Sequence, residues 1–365
     1  MPRLFPLDTA VRFLSISATG RNVEGSARRP GNEPETGGNT LYKTIVSVAA
    51  AAILSLSAGL ASAQNFPERN VTIVVPFAAG GPTDTVARLV AEAMSKDLGQ
   101  QVIVENVGGA GGTLGAKQVA DAEADGYKLL LYHIGMATSA TLYRNLPYDT
   151  LNSFEYVGLV TEVPMTIVAK KEMTANTLGE LVEYAKANAD KVTVANAGIG
   201  AASHLCGMLL MSAIGTPLVT VPYKGTGPAM TDLLGGQVDI MCDQTTNTPK
   251  HIQGGTVKAY AVTTADRLNV LPDVPTTKEA GLDGMEFGIW HGLYAPKGTP
   301  ADVVDRLSKS LQVALKDENV VARFAELGTS PSPEADATPS ALKAKLESEI
   351  ARWKPVIEAA GQYAD

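Results

Sequence analysis

The chain has 365 residues, of which 45% are hydrophobic and 19% are charged, and its formal net charge at pH 7 is −8. This length and composition fit one or two ordinary globular domains, and the negative charge argues against nucleic acid or anionic lipid as partners. The 35 Gly and 21 Pro favour many tight turns over a long helical array.

The N-terminal part contains a candidate export signal. Lys43 precedes an apolar run over residues 45–60, and the small residues Ala61-Ser62-Ala63 follow it. A basic flank, a short apolar segment and such a cleavage sequence are typical of a secretory signal peptide, so we predict a signal peptide over 41–63. The alternative is a membrane anchor, but the run is shorter than the ~20 residues that a spanning helix needs.

Residues 1–40 do not resemble a signal peptide, because they are polar, rich in Gly and Pro and without hydrophobic periodicity. We expect an untranslated or disordered extension there, with translation beginning at Leu41 from an alternative start codon. Loss of residues 1–63 removes six basic and four acidic residues, which leaves a net charge of −10. We therefore expect an exported, acidic monomer that is not embedded in a membrane.

The first part of the mature chain alternates between strand and helix patterns. An apolar run over 71–76 predicts a buried strand, and apolar residues at helical spacing over 85–98 predict an amphipathic helix. Further strands are predicted over 102–105 and 128–132, with a helix through Ala122 between them. Such alternation is typical of an α/β fold with mainly parallel sheets.

The second part repeats this rhythm, which predicts a second lobe. Strand patterns over 155–160 and 165–170 lead into it, and we place lobe 1 at 64–164 plus 283–365 and lobe 2 at 165–282. Two α/β lobes joined by crossing strands form a cleft, which is a preferred place for a ligand. The remaining predicted helices are 178–188, 203–214, 227–234, 249–254, 300–316 and 339–360, and the remaining strands are 192–196, 218–221, 238–242, 257–263 and 289–295.

Two strand–loop–helix junctions, one in each lobe, carry residues suited to binding an anion. The first runs from Pro76 to Asp84 and the second from Asn196 to His204. Their glycines allow a ligand to approach the backbone, and the free N–H groups and positive potential of a helix N-terminus can hold a carboxylate. We therefore expect the two loops to face each other across the cleft.

Several of these residues have a second interpretation that the sequence leaves open. Thr83 and Asp84 are also candidate N-caps, Ser203 is either a ligand donor or a cap, and His204 fits a buried structural group better than a catalyst. Asp243 is suited either to an ammonium group on the ligand or to ordering water in the cleft. The predicted ligand contacts are Phe77, Ala79, Gly80, Gly81, Thr83, Asp84, His133, Gly198, Ile199, Gly200, Ala201, Ser203, His204 and Asp243.

The sequence shows no signature of a cofactor, a metal site or a catalytic centre. The Gly-rich stretch 108–112 lacks both the Walker and the Gly-x-Gly-x-x-Gly spacing, the four His and two Cys are too scattered for a metal site, and no nucleophile elbow or His-Glu-x-x-His motif is present. We expect no cofactor, no metal and no enzymatic activity. In an oxidising compartment, Cys206 and Cys242 either form a disulfide or remain two packed thiols.

At this point the motifs resemble the Bug-type periplasmic receptors of the tripartite tricarboxylate transporters, from Phe66 to about Trp353. The resemblance is carried by the segments 66–69, 73–84, 105–112, 146–149, 203–205, 221–225, 232–239 and 290–296. It implies a type II periplasmic-binding-protein fold that closes on a small carboxylate. It also implies a periplasmic location and docking to a two-component membrane permease. Where such receptors carry a Ser or Thr after Gly-x-Gly, this chain has Ala201, which removes one hydroxyl donor.

Three functions follow from these observations, and they differ in what happens to the ligand. The first is a carboxylate receptor for uptake, and the second is a sensor that signals to a membrane kinase. The third, from a different class, is a secreted hydrolase built on the same two lobes. Loss of uptake after deletion of the permease would separate the first from the second, and product formation would indicate the third.

Overall fold

The computed structural model describes residues 66–361 together with 363 and 364. The predicted signal peptide over 41–63 and the predicted extension over 1–40 lie outside these residues. None of the helices in the described part of the chain is long and apolar enough to cross a membrane.

The described residues form ten α-helices and nine strands that alternate along most of the chain. The strands are β1 (Val71–Val75), β2 (Val102–Asn106), β3 (Lys128–His133), β4 (Phe154–Lys170), β5 (Thr193–Asn196), β6 (Val219–Pro222), β7 (Ile240–Gln244), β8 (Val257–Val262) and β9 (Gly288–Pro296). The helices are α1 (Pro82–Leu98), α2 (Thr113–Ala120), α3 (Gly135–Leu142), α4 (Leu178–Ala187), α5 (Ala202–Ile214), α6 (Thr226–Leu234), α7 (Pro249–Gln253), α8 (Ala301–Ala314), α9 (Glu318–Glu326) and α10 (Pro339–Ala360).

The strands follow the order β2-β1-β3-β9-β4-β7-β5-β6, with β8 also paired to β4. The long strand β4 divides this order into two lobes. Its first part, Phe154 to Pro164, pairs with β9, and its second part, Met165 to Lys170, pairs with β7 and β8. The first lobe thus contains β1, β2, β3 and β9, and the second contains β5, β6, β7 and β8. This is the two-lobed α/β architecture that the sequence predicts.

The sheets are less parallel than predicted. Strands β1, β2 and β3 pair in parallel, as do β5, β6 and β7. The pairings made by β4 and β9 are antiparallel. The difference arises because β4 carries the chain from the first lobe to the second and β9 carries it back. The two strands therefore run in opposite directions.

The parallel strands are buried on both faces, which explains why their sequences are continuous apolar runs. In β1, Val71, Ile73, Val74 and Val75 are all fully buried, since helices cover both faces of such a sheet. Helix α1 packs against this sheet through a buried stripe that includes Val86, Val90 and Met94. The helix begins at Pro82 and ends before Gly99, whose left-handed backbone (φ 70°) ends the helix.

The predicted elements match the observed ones with three exceptions. The two strands predicted over 155–160 and 165–170 are one strand, β4. Helix α3 and helix α9 were not predicted. Helix α3 is buried on nearly every side, from Gly135 to Leu142, so its sequence lacks the alternating polar face that identifies an amphipathic helix.

Candidate functional site

A cavity lies between the two lobes at the edge where β1, β3, β5 and β7 end and where α1, α5 and α6 begin. In open α/β sheets, ligands bind at this edge, beyond the carboxyl ends of the strands. The cavity is small, with ≈ 20 Å³ of space open to the centres of water molecules. Its lining residues are Phe77, Gly81, Pro82, Thr83, Asp84, His133, Ala197, Ala202, Ser203, Thr226, Asp243 and Gln244.

In the three helices that begin at the cavity, no N-cap side chain accepts a hydrogen bond from the first backbone N–H groups. Their N-cap residues are Gly81, Ala201 and Gly225, and none of them makes a side-chain cap. By contrast, α4 and α9 begin away from the cavity, at Thr177 and Asp317, whose side chains accept first-turn N–H groups. Because the first amides of a helix lack partners within that helix, the cavity is surrounded by N–H donors and positive helix ends.

Asp84 lies in the first turn of α1 and fixes the loop that precedes it. Its Oδ2 accepts hydrogen bonds from the Gly80 amide at 3.0 Å and from Arg88 Nε at 3.0 Å, and its Oδ1 accepts one from Asn106 Nδ2 at 3.0 Å. Burial raises the pKa of this carboxyl, but these hydrogen bonds and the Arg88 charge outweigh it and lower the pKa. Asp84 is therefore ionised and its charge is matched by Arg88.

The predicted N-cap role of Thr83 and Asp84 is wrong, because Gly81 occupies the N-cap position of α1. Thr83 instead lies in the first turn, and its hydroxyl is 3.3 Å from Nε2 of the buried His291. Burial lowers the pKa of His291 to about 3, so this ring is neutral. The Thr83 side chain is thus held in place by a neutral partner.

His133 forms the aromatic wall of the cavity together with Phe77. The two rings are stacked with their centroids 4.7 Å apart. Burial, with the His291 ring nearby, lowers the pKa of His133 well below its usual value. Its Nδ1 accepts the Gly135 N–H at 2.9 Å, which places the single ring proton on Nε2. His133 is therefore a neutral hydrogen-bond donor at pH 7.

On the second-lobe side, the loop before α5 is fixed by its own polar side chains. Ser203 Oγ accepts the Ala197 N–H at 2.8 Å, and Asn196 Oδ1 accepts the Gly198 N–H at 2.9 Å. His204 Nδ1 accepts the Gly200 N–H at 3.4 Å, and burial lowers the pKa of His204 to about 4. These contacts give Ser203 and His204 structural partners within the loop.

Asp243 lines the cavity on its second-lobe side and is only 1% exposed. Its Oδ2 accepts a hydrogen bond from Asn247 Nδ2 at 2.6 Å. Burial raises the pKa of Asp243 to about 6, although hydrogen bonds from Asn247, the Gln244 amide and Thr226 act in the opposite direction. Beside it, Gln244 Oε1 is buried and has no hydrogen-bond partner.

Hydrogen bonds between the lobes close the cavity. The Ala78 amide donates to the Lys224 carbonyl at 2.9 Å. The hydroxyls of Thr138 and Tyr143 donate to the carbonyls of Gly200 and Ile199, each at 2.8 Å. The glycines at this contact are required by space, since a Cβ on Gly227 would lie 2.6 Å from the Ala79 carbonyl oxygen. The lobes are therefore in a closed arrangement.

The structure brings half of the predicted ligand contacts to the cavity. Those that line it are Phe77, Gly81, Thr83, Asp84, His133, Ser203 and Asp243. Those that do not line it are Ala79, Gly80, Gly198, Ile199, Gly200, Ala201 and His204. Of the second group, Gly198 and Ile199 lie at an outer groove between the lobes, and the Gly200 carbonyl accepts the Thr138 hydroxyl.

Five lining residues were not predicted as ligand contacts: Pro82, Ala197, Ala202, Thr226 and Gln244. Thr226 follows Gly225 at the start of α6, so a third strand–glycine–helix junction was the signal that could have identified it. Gln244 directly follows Asp243 in β7. Within the described residues, no group of three or more His, Cys, Asp or Glu side chains could hold a metal ion.

Cys206 in α5 and Cys242 in β7 are joined by a disulfide, with their Cα atoms 5.9 Å apart. Both cysteines are fully buried. The bond links the helix that carries Ser203 to the strand that carries Asp243. Two parts of the second-lobe wall are therefore covalently connected.

A family comparison decides what kind of protein this is. Residues 86–362 match the model of the tripartite tricarboxylate transporter family receptor. The chain belongs to this receptor family. A relative from Agrobacterium vitis, named as the UPF0065 protein in the TAR-I ttuE-ttuC' intergenic region, is 57% identical over 304 residues, covering 83% of this chain and 88% of that protein.

Two solved structures of similar receptors have the same fold. The periplasmic binding protein BugD is 55% identical, with a TM-score of 0.80, covering 82% of this chain and all of that one. MatC from Rhodopseudomonas palustris, solved with bound malate, is 42% identical, with a TM-score of 0.78 over 80% of this chain and all of that one. The predicted family resemblance and the two-lobed binding-protein fold are thus confirmed.

Proposed function

We propose that this receptor captures a small carboxylate in the cavity between its lobes and delivers it to a membrane permease. The observation that carries the proposal is the convergence of three helix N-termini without side-chain caps, at Gly81, Ala201 and Gly225, on one closed cavity. A carboxylate there would accept backbone N–H groups and lie at positive helix ends. MatC, which is 42% identical to this chain, was solved with bound malate, a small carboxylate, and this supports the proposal.

The proposed contacts follow from the cavity lining. In the first lobe, the carboxylate would meet Gly81, Thr83 and the amides of the α1 first turn, while Asp84 holds the loop in position. In the second lobe, Ala202 and Thr226 present the first turns of α5 and α6. The side chains of Phe77 and His133 would cover the apolar part of the ligand.

The lobe boundaries proposed from the sequence, 64–164 plus 283–365 and 165–282, are supported by the pairing of β4. Its pairing with β9 ends at Pro164 and its pairing with β7 begins at Met165. The chain passes between the lobes at this point. A hinge there would let the cavity open for ligand entry and close again around the ligand.

The partners and location also belong to this proposal. The family description names a tripartite transporter, and we propose that the other two parts form a membrane permease that receives the ligand from this chain. The receptor would act in the periplasm, as a monomer, and without chemical change to the ligand. Recovery of unaltered ligand after prolonged incubation, with a single species in size-exclusion chromatography, is the expected result.

A thermal-shift screen against mono-, di- and tricarboxylates tests the proposal. A ligand that binds only the folded state raises the melting temperature when its concentration exceeds its Kd. The variant Gly81→Val should lose this shift, because its Cβ would lie 3.4 Å from Thr226 Oγ1 and the larger side chain would fill the space beside the α1 amides. Gly179→Val, in an exposed helix with no atom closer than 4.0 Å to the added Cβ, is the matched control.

Either of two results would contradict the carboxylate site. One is the absence of any shift with every carboxylate in the wild-type protein. The other is an unchanged shift in Gly81→Val, which would place the ligand away from the start of α1. The backbone at Gly81 is extended, with φ −93° and ψ 178°, so valine fits its conformation and the variant is expected to fold.

A further inference from the structure

The Gly-rich loop over residues 108–112 does not line the ligand cavity, yet its backbone contacts the second lobe. A Cβ on Gly108 would lie 2.6 Å from the Lys224 carbonyl oxygen, and a Cβ on Gly111 would overlap the Ile199 carbonyl oxygen. Gly111 also has a positive φ of 62°. Glycine is therefore required at both positions, because two backbones approach each other closely there. This approach joins the two lobes, so it exists only in the closed arrangement.

Closure at this contact forms the outer groove between the lobes, with ≈ 890 Å³ of space open to the centres of water molecules. Among the described residues, the groove and the ligand cavity have no lining residue in common. The first lobe supplies one side of the groove, with Ala78, Gly108, Gly109, Ala110, Gly111, Leu114, Tyr143 and Ala364, and the second lobe supplies the other, with Gly198, Ile199, Pro222, Tyr223, Lys224 and Pro228. Separation of the lobes would therefore divide this surface.

Each lobe contributes an exposed hydrophobic side chain to the outer groove. Leu114 in α2 of the first lobe is 55% exposed, and Ile199 of the second lobe is 38% exposed. Most of the other lining residues are glycine, alanine, proline or tyrosine. Exposed apolar side chains that line one groove are typical of a surface that contacts another protein. The groove is thus suited to an apolar segment of a partner.

The charge of the outer groove differs from that of the whole chain. The chain contains 38 Asp and Glu residues and has a net charge of −8, but none of the described residues that line the groove is acidic. Of these residues, Lys224 is the single charged one. It is exposed and forms no ion pair with any residue in the described part of the chain. An acidic side chain on a partner would therefore find an unpaired cation here, and such complementarity favours association.

We propose that the membrane permease recognises the closed receptor at the outer groove, through an apolar segment that carries an acidic side chain. Leu114 and Ile199 would contact the apolar part of this segment, and Lys224 would pair with the acidic side chain. The inference rests on the proposed function and adds the surface of contact to it. A permease that bound open and closed receptor equally would be occupied by receptor without ligand. A surface to which both lobes contribute prevents this, because binding to it selects the closed form.

Uptake of labelled carboxylates into proteoliposomes that contain the permease tests the inference, with the receptor added outside below its saturating concentration and with imposed proton and sodium gradients. The probes are succinate, malate, glutarate, citrate and benzoate. Leu114→Ser should lower receptor-dependent uptake by about tenfold or more, because burial of one leucine side chain is lost. Its thermal shift with the same carboxylates should equal that of the wild-type protein. Ile103→Ser is the matched control, since Ile103 is 45% exposed in β2 of the same lobe and lies outside the groove lining. It should leave both measurements unchanged.

The variant Lys224→Glu tests the charge of the partner segment. It should lower uptake by about fivefold or more at low ionic strength, because the two acidic side chains would repel each other. The ratio of wild-type to variant uptake should fall as the ionic strength rises, since salt screens this repulsion. Lys250→Glu is the matched control, because Lys250 is an exposed lysine of the same lobe outside the groove lining and the net charge changes equally. Its ratio should stay near one at every ionic strength.

The outcomes separate the inference from the proposed function. Wild-type uptake with Leu114→Ser would overturn the groove as the contact surface and leave the carboxylate receptor intact, and wild-type uptake with Lys224→Glu alone would overturn the acidic partner. Loss of the thermal shift in Leu114→Ser would also overturn the inference, since the groove would then act on ligand binding. A receptor dimer in analytical ultracentrifugation that Leu114→Ser abolishes would assign the groove to a second copy of this chain. If the wild-type protein shows a thermal shift but no uptake, delivery to the permease is wrong and the inference with it. If it shows neither with any probe, the carboxylate receptor itself is wrong.

Discussion

The Thr138 hydroxyl in the first lobe donates a hydrogen bond to the Gly200 carbonyl in the second lobe, over 2.8 Å. Tyr143 makes an equivalent bond to Ile199. These contacts exist only when the lobes are together, so they contribute to closure without touching the cavity lining. The free energy of closure is part of the apparent binding free energy. A ligand that requires the closed form has an apparent affinity proportional to the fraction of molecules in that form.

Removal of the Tyr143 hydroxyl should therefore weaken ligand binding from outside the cavity. For Tyr143→Phe we expect a Kd higher by about 2–10-fold, which corresponds to a net loss of about 0.5–1.5 kcal/mol for one hydrogen bond. Tyr127→Phe is the matched control, since the Tyr127 hydroxyl accepts the Glu68 N–H within the first lobe. Calorimetric titration of both variants with the same ligand checks this, and equal affinities would show that the Tyr143 contact does not favour closure.

Gly227 provides a steric test of the same closure. It is the second residue of α6, and an added Cβ would meet the Ala79 carbonyl oxygen at 2.6 Å and Gly80 at 3.2 Å in the facing lobe. Gly227→Ala should raise Kd by at least about tenfold, since backbone atoms must move apart. The melting temperature without ligand should stay equal or rise slightly, because Ala favours helix over Gly by up to about 1 kcal/mol.

Gly207→Ala is the control for this steric test. Gly207 lies inside α5, and an added Cβ would make only an ordinary contact of 3.4 Å with Val194 of the same lobe. We expect an unchanged Kd for this variant. Small-angle X-ray scattering with saturating ligand should show the compact form for Gly207→Ala and a more open form for Gly227→Ala. A compact Gly227→Ala complex would contradict the closed contact seen here.

The sequence identified the first-lobe half of the site better than the second-lobe half. The apolar run before Phe77 and the pair Gly80-Gly81 define a strand, a loop and a helix start, and local patterns of this kind determine local structure. The loop at Gly198–Gly200 has the same pattern, yet its carbonyls bind Thr138 and Tyr143 of the other lobe. Which way a loop faces depends on the closed arrangement of the lobes, and no local pattern encodes it.

Pro164 illustrates a related difference in the fold. A proline inside an apolar run predicts the end of a strand, because it donates no backbone hydrogen bond. In the structure, Pro164 lies within β4 at the position where the partner changes from β9 to β7. A missing donor is tolerated there, so one strand continues through both lobes. The sequence predicted a crossing at this place, but long-range pairing was needed to show a continuous strand.

The disulfide between Cys206 and Cys242 should contribute to the stability of the second lobe. It closes a segment with a sequence separation of 36 residues, for which the loss of chain entropy in the unfolded state corresponds to about 3–4 kcal/mol. The double variant Cys206→Ala/Cys242→Ala should lower the free energy of unfolding by this amount in urea. A reductant should destabilise the wild-type protein and leave the double variant unchanged. Equal stability with and without reductant in both proteins would show that the disulfide does not contribute to the free energy of unfolding.

The buried carboxyl of Asp243 should make the stability of the receptor without ligand depend on pH. Burial raises its pKa to about 6 from an ordinary value of 3.8, so the folded state binds this proton more tightly than the unfolded state does. The resulting stabilisation is fully present below about pH 4 and is lost as the pH rises through about 6. A shift of this size corresponds to at most about 3 kcal/mol.

Comparison with Asp243→Asn isolates this single group from all other carboxylates. The neutral variant has no charge to bury, so its melting temperature should exceed that of the wild-type protein by a margin that increases between pH 4 and pH 7. A margin that stays constant with pH would mean that Asp243 does not titrate in this range.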